Sequence, residues 1–198
     1  MTSDETNRWL QTRSVSGDAY DATYDRRSAS GENVHGEADF VQRFGSASIL
    51  DAGCGTGRVG RELARRGLEV VGIDIDPEML KTAKARAPEL DWRLGDLATT
   101  DLRRTFDIIV LAGNVMIFLA PHSEATVVAN MARHLASGGA LIAGFQLTRG
   151  RLDLERYDEV ATNAGLALAE RWSTWDCQPW TSTSEYAVSV HRKSPDPL

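Results

Sequence analysis

The 198 residues suffice for one domain with a substantial core and leave no room for a second folded domain. Acidic side chains outnumber basic ones by 28 to 22, a net charge of −6, and the basic residues are scattered among the acidic ones; this argues against nucleic acid as a partner, because a phosphate backbone needs a basic stripe. No apolar run approaches the roughly 20 residues that span a bilayer, the N-terminus is polar without the apolar centre of a signal peptide, and Cys54 and Cys177 are the only cysteines, so a reduced, cytoplasmic protein without membrane contact is expected.

Residues 1–45 read as a partly helical cap or lid, with a helix over 34–44. Within it Tyr20-Asp21-Ala22-Thr23-Tyr24-Asp25 places two aromatic rings one helical turn apart. Residues 46–193 read as one α/β domain. A strand over 48–51 leads into a helix over 58–66 that stops at Gly67. A second strand over 69–74 precedes a helix with Pro77 in its first turn, where a missing N–H costs nothing, running to about residue 87 before Pro88. A short strand over 92–94 follows. Residues 106–111 are apolar on both parities, the pattern of a strand covered on both faces. A helix over 123–136 carries Val127, Val128, Met131 and Leu135 on one face, a strand spans 140–145, and a helix over 153–164 is capped at Gly165. Strands over 166–175 and 184–192 close the chain, the second alternating with the period of a half-exposed antiparallel strand. The alternation predicts a doubly wound, mainly parallel sheet with helices on both faces.

The chemistry is concentrated in the run Asp51-Ala52-Gly53-Cys54-Gly55-Thr56-Gly57-Arg58, where an apolar strand stops and glycines let the backbone turn tightly beside a ligand. The second strand ends in Asp74, which suits a ribose diol as hydrogen-bond donor. Gly55 to Gly60 also satisfies G-x-G-x-x-G, so a dinucleotide-dependent oxidoreductase competes. Asp51 weighs against it, since a fixed carboxylate beside a pyrophosphate is repulsive and suits a ligand carrying an ammonium and a sulfonium. The Asp51 to Gly57 arrangement resembles motif I of class I S-adenosylmethionine-dependent methyltransferases. The resemblance continues through Asp74, Gly95-Asp96-Leu97 and Leu135-Ala136-Ser137-Gly138-Gly139, with Ser137 where the family often has proline, and covers roughly residues 45–146.

This resemblance implies a seven-stranded sheet ending in a C-terminal antiparallel hairpin, S-adenosylmethionine as cofactor, and a set of contacts to it. Asp51, Gly53, Gly55 and Gly57 would face the methionine moiety and ribose, Asp74 the ribose diol, Ile75 the adenine face, and Asp96 and Leu97 the adenine amino group and ring nitrogen. Ala112 and Asn114 would face the amino-acid end, and Tyr24 would cover the cofactor. Asp76 reads as the N-cap of the Pro77 helix. His35 beside Glu37 is either a general base or structural, and Trp172, Trp175 and Trp180 either line an acceptor pocket or pack the hairpin. No histidine and cysteine cluster has metal-ligand spacing, so no metal is expected. The segment after the fourth strand lacks the Asp/Asn-Pro-Pro-Tyr/Phe run of many DNA and protein amide methylases, which disfavours base or glutamine acceptors. The expected activity is methyl transfer to a small-molecule acceptor, with no catalytic side chain identifiable; a non-catalytic S-adenosylmethionine-binding regulator is the alternative outside catalysis.

Overall fold

The computed structural model describes residues 7–195. Three helices lead, α1 (Arg8–Thr12), α2 (Gly17–Ala29) and α3 (Gly36–Gln42). They are followed by β1 (Ser48–Ala52), α4 (Arg58–Arg65), β2 (Glu69–Asp74), α5 (Pro77–Arg86), β3 (Asp91–Leu94) and β4 (Phe106–Leu111). The rest is α6 (Val115–Phe118), α7 (Glu124–Arg133), β5 (Leu135–Gln146), α8 (Leu154–Asn163), β6 (Leu166–Trp172) and β7 (Tyr186–Lys193). Among the described residues the strands form one sheet in the order β3-β2-β1-β4-β5-β7-β6. The pairings from β3 to β5 are parallel, and β7 lies antiparallel between β5 and β6. The predicted C-terminal hairpin is therefore present.

The central strands are apolar on both parities because both faces are covered. One face packs Leu50, Ile109, Leu141 and Phe145 against Val127, Met131 and Tyr157 of α7 and α8. The other packs Ile49, Ile108, Val110 and Ile142 against Phe40, Val41, Val59 and Leu63 of α3 and α4. From β1 the chain winds outward to β2 and β3, then returns to β4 on the other side of β1. That reversal opens a crevice at the carboxyl ends of β1 and β4, the place where open parallel sheets bind ligands.

Boundaries depart from the sequence reading in three places. Strand β5 starts at Leu135, which pairs with Phe106, and a register shift through the Gly138-Gly139 step precedes the Ile108 to Ala140 pair; α7 accordingly ends at Arg133. Strand β6 stops at Trp172, where an isolated bridge to Pro179 and a turn from Thr174 to Cys177 replace the ladder. The segment before β1 contains α1 and α2 as well as the shorter α3, with Asn7 and Ser16 as side-chain caps of the first two.

Gly57 is not among the residues that line the crevice at the carboxyl ends of β1 and β4, and its conformation serves packing. It is left-handed at φ +74°, and a Cβ there would collide with the Trp92 indole, as would one on Gly72, which lies opposite Trp92 in the β2–β3 ladder. Trp92 is buried against Cys54, Leu80 and Ala83, with its Nε1 donating to the Ala87 carbonyl at 2.8 Å. Gly72→Ala is expected to lower stability by about 1–3 kcal/mol through overpacking, seen as a fall of roughly 2–12 °C in Tm for a chain of this size. A melting curve superimposable on the parent's would show that Trp92 moves aside freely.

Candidate functional site

The crevice holds a cavity of about 400 Å³, and Tyr24, Asp51, Gly53, Gly55, Asp74, Ile75, Asp96, Leu97, Ala112 and Asn114 all line it. The chain brings them together by ending β1, β2, β3 and β4 along one edge. At the glycine turn, the Gly53 and Cys54 N–H groups donate to the Ile73 carbonyl at 2.8 and 3.0 Å, tying the turn to β2. Gly55 has φ +55° with open space where a Cβ would stand, so the backbone there is bare toward the cavity.

Asp74 clips this turn in place. Its Oδ2 accepts from the Gly55 N–H at 2.7 Å and its Oδ1 from the Asp76 N–H at 2.8 Å. Burial pushes its pKa up to about 6 despite these hydrogen bonds. Asp51 is 2 % exposed and accepts from the Gly60 N–H at 2.9 Å. Burial, opposed by that bond and the Arg58 charge, raises its pKa to about 7. Asp96 uses Oδ1 to accept from the Ala98 N–H at 2.8 Å, while its buried Oδ2 has no partner among the described residues. A buried carboxylate oxygen without a donor is costly, and Asp96 is among the residues that line the cavity.

Leu97 offers its carbonyl to Asn130 Nδ2 at 2.8 Å. Asn114 is left-handed at φ +70° and spends its Oδ1 on the Gln146 N–H at 2.8 Å, which locks the segment after β4 onto β5. Tyr24 stands on α2 beside Tyr20, their rings 5.1 Å apart. Helix α2 is anchored to the domain through Asp21, which accepts from Thr56 Oγ1 and from Arg61 Nη2, the latter at 2.8 Å.

Sequence reasoning missed Trp9, Arg58 and Phe118, which also line the cavity. Trp9 meets Phe118 edge to face at 5.5 Å and donates its Nε1 to Asp76 Oδ2 at 2.8 Å. Asp76 caps α5 as expected, accepting from the Glu78 N–H at 3.0 Å, and also pairs with Arg13. Burial opposes its ionisation, but the bonds from Trp9, Arg13 and Glu78 outweigh it and hold the carboxyl below its usual range. The Asn7 cap was the one local signal for this five-residue helix. Arg58 was visible only as a helix start.

Other candidates lie elsewhere. His35 borders a separate hollow of about 260 Å³, shared with Tyr24 and Arg58. Trp175 packs on Phe40 at 5.5 Å and donates to the Tyr186 hydroxyl, and Trp172 donates to Glu170, so neither lines the cavity. His134 accepts from the Leu102 N–H at 3.0 Å, and His191 faces Asp158 under β7 with burial lowering its pKa. Among the described residues no cluster of histidine, cysteine or acid has the geometry to hold a metal, and no helix is long and apolar enough to cross a membrane.

A family model described as a methyltransferase domain matches residues 49–139. The chain superposes on a TehB-like SAM-dependent methyltransferase of Corynebacterium glutamicum with a TM-score of 0.83 and 38% identity, covering 90% of this chain and 98% of that one. The chain belongs to the class I S-adenosylmethionine-dependent methyltransferases. Curated relatives include the magnesium-protoporphyrin O-methyltransferase of Rhodobacter capsulatus, 40% identical over 78 residues (37% of this chain and 34% of that protein). A second is the dTDP-4-amino-2,3,4,6-tetradeoxy-D-glucose N,N-dimethyltransferase of Saccharopolyspora spinosa, 30% identical over 129 residues (63% and 52%). The chain thus spans about a third and about half of the length of these two relatives. The cofactor of this methyltransferase family is S-adenosylmethionine, and the cavity suits it. Asp96, whose Oδ2 has no donor among the described residues, lines it, Gly55 leaves its face open, and three carboxylates line a space offered to a ligand with two cationic groups.

Proposed function

We propose that this methyltransferase moves the methyl group of S-adenosylmethionine to a small-molecule acceptor by in-line displacement. When bound, the cofactor supplies a methyl already activated by its sulfonium, so the chain's task is positioning and exclusion of water. In this reading Asp74 receives the ribose hydroxyls, Asp96 and Leu97 the adenine edge, and Ile75 its face. Asp51, Gly53, Gly55, Ala112 and Asn114 surround the methionine end, and Tyr24 covers it. Residues 1–45 serve as the cap over the domain at 46–193, a reading supported by the bonds from Trp9 to Asp76 and from Thr56 and Arg61 to Asp21. The observation that carries the proposal is one cavity lined together by the Asp74 clip, the bare Gly55 backbone and Asp96, a carboxylate with one unpartnered oxygen.

A small acceptor is supported by the limited cavity, walled by Trp9 and Phe118, and by the lack of basic surplus. A reducing cytoplasmic setting is supported by the free Cys54 thiol seated within the glycine turn, where oxidation would obstruct the cofactor.

S-adenosylhomocysteine at about 100 times its Kd is expected to add roughly 2.7 kcal/mol of stability, a rise of about 5–10 °C in Tm, with no rise from a nicotinamide dinucleotide. The reverse pattern would sink the proposal. Incubating the protein with methyl-labelled S-adenosylmethionine and a metabolite extract then separates enzyme from regulator, since a regulator binds without yielding a labelled product.

A further inference from the structure

Helix α2 docks on the domain without an apolar face. Of its 13 residues only Gly17 and Asp21 are buried, where a surface helix ordinarily turns a stripe of aliphatic side chains inward. A helix of this length is marginal in water on its own, so its place rests on polar contacts. Asp21 is at their centre and is 2% exposed. One of its carboxylate oxygens accepts from Thr56 Oγ1, and the other accepts from Arg61 Nη2 of α4 at 2.8 Å, with Arg86 Nε of α5 at 3.6 Å.

Thr56 belongs to the glycine turn, between the bare Gly55 and the left-handed Gly57. It lines the cavity and is itself 1% exposed. Helix α2 engages both branches of its side chain: the hydroxyl donates to Asp21, and the methyl lies 3.3 Å from where a Cβ on Gly17 would stand. Gly17 also lies close against Thr82 of α5, whose hydroxyl donates to Asp18 at 3.1 Å. Gly17, Asp21 and Tyr24 stand at i, i+4 and i+7, one face of the helix, and Tyr20 and Tyr24 line the cavity. The turn is thus held from two sides, by Asp74 through the Gly55 N–H at 2.7 Å and by Asp21 through the Thr56 hydroxyl. A buried charge satisfied in this way adds little net stability, because desolvation offsets the attraction, yet losing one of its partners is costly.

We propose that Asp21 is a positioning residue of the cofactor site. Through Thr56 it fixes the glycine turn, and through the same bond a cofactor seated on the turn fixes α2 with its two tyrosines at the cavity. Cofactor binding and docking of the helix are then coupled, and the coupling is reciprocal. The inference rests on the cofactor reading of the cavity and goes beyond it, since it makes a side chain that does not line that cavity a determinant of affinity.

The test is a double-mutant cycle on the full chain, with affinity for S-adenosylhomocysteine measured by titration calorimetry. Thr56→Val keeps the methyl beside Gly17 and replaces only the hydroxyl. Asp21→Asn keeps the shape and removes the charge, leaving Arg61 and Arg86, both partly exposed, in reach of water. Each is expected to weaken binding about fivefold or more, the lower end of coupling between sites. The double variant should lose no more than the weaker-binding single one, because both changes remove the same bond. Thr56→Ser retains the hydroxyl and should bind within about twofold of the parent. Amide hydrogen exchange across residues 17–29 should slow about fivefold or more when the ligand saturates the parent, and about twofold or less in Thr56→Val at equal saturation. A merely structural role would lower Tm in the variants and leave this ligand-induced slowing in place.

Unchanged affinity in both single variants, additive losses in the double variant, or no slowing across 17–29 in the liganded parent would each overturn the coupling. Should Asp21→Asn fail to melt cooperatively, the two Thr56 variants decide: loss in Thr56→Val with recovery in Thr56→Ser supports the coupling, and equal affinity in the two overturns it. A parent protein that binds no S-adenosylhomocysteine overturns the cofactor reading and the coupling together, whereas binding without slowing overturns the coupling alone.

Discussion

Asp74→Ala is expected to reduce affinity for S-adenosylhomocysteine by about 30- to 1,000-fold while shifting the ligand-free Tm by only a few degrees. Two charge-assisted hydrogen bonds to a ribose diol are together worth roughly 2–4 kcal/mol, which converts to that range. The structure adds a second route to the same loss, because the carboxylate also holds the Gly55 and Asp76 N–H groups at 2.7 and 2.8 Å. Without it the bare face of Gly55 is no longer fixed toward the ligand. The folded state pays little for the change: Asp74 is 7% exposed and its ionisation is already opposed by burial, so removing the charge relieves one penalty while leaving two N–H groups unpaired. Calorimetry for affinity, with a melting curve of the ligand-free variant, separates the cases. Parental affinity would remove Asp74 from the site. Lost affinity together with a collapse of Tm above about 10 °C would make the carboxylate a fold determinant first.

The glycine turn, both flanking strands and the Gly95-Asp96-Leu97 step were legible because each is local. A strand that ends in an acid and runs through glycines into a helix carries its instructions within a dozen residues. The β1–β2 register and the buried parities of β4 follow from the same local pattern. What escaped was set by residues far apart in the chain. Gly57 reads as part of the glycine turn, and its missing side chain also makes room for Trp92, 35 positions later. Trp9 lines the cavity from a helix too short to show a period, held by Asp76, 67 positions later. Arg58 is an unremarkable first residue of a helix until Glu37 and Tyr24 close around it. The C-terminal tryptophans read either as an acceptor wall or as packing of the hairpin, and the bridge from Trp172 to Pro179 with Trp175 against Phe40 of α3 agrees with packing.

Cofactor binding is expected to release protons and to strengthen with pH. Asp51 titrates near 7 and Asp74 near 6 in the ligand-free fold, against 3.8 for a free aspartate, burial being the first cause in both. A carboxyl that keeps its proton longer when folded stabilises the fold at low pH and loses that contribution as pH rises from about 4 to about 7. For Asp51 the loss is on the order of a few kcal/mol, since each pKa unit is about 1.4 kcal/mol. The ligand-free Tm should therefore fall between pH 5 and pH 7.5 and level off beyond. A sulfonium and an ammonium entering the cavity favour the ionised carboxylates, so they expel the protons that burial retained. Between pH 5 and pH 8 the affinity for S-adenosylmethionine should rise by about 10- to 100-fold, the span expected when one group with a pKa near 7 must ionise first. At pH 6, calorimetry in two buffers of different ionisation enthalpy should report release of about 0.9 proton if Asp51 alone ionises and about 1.4 if Asp74 ionises with it. Asp51→Asn should flatten the affinity profile, because the variant has nothing to ionise at that position. An affinity independent of pH in the parent protein would mean that Asp51 is already charged without the cofactor, and that its place beside the glycine turn serves the Gly60 hydrogen bond alone.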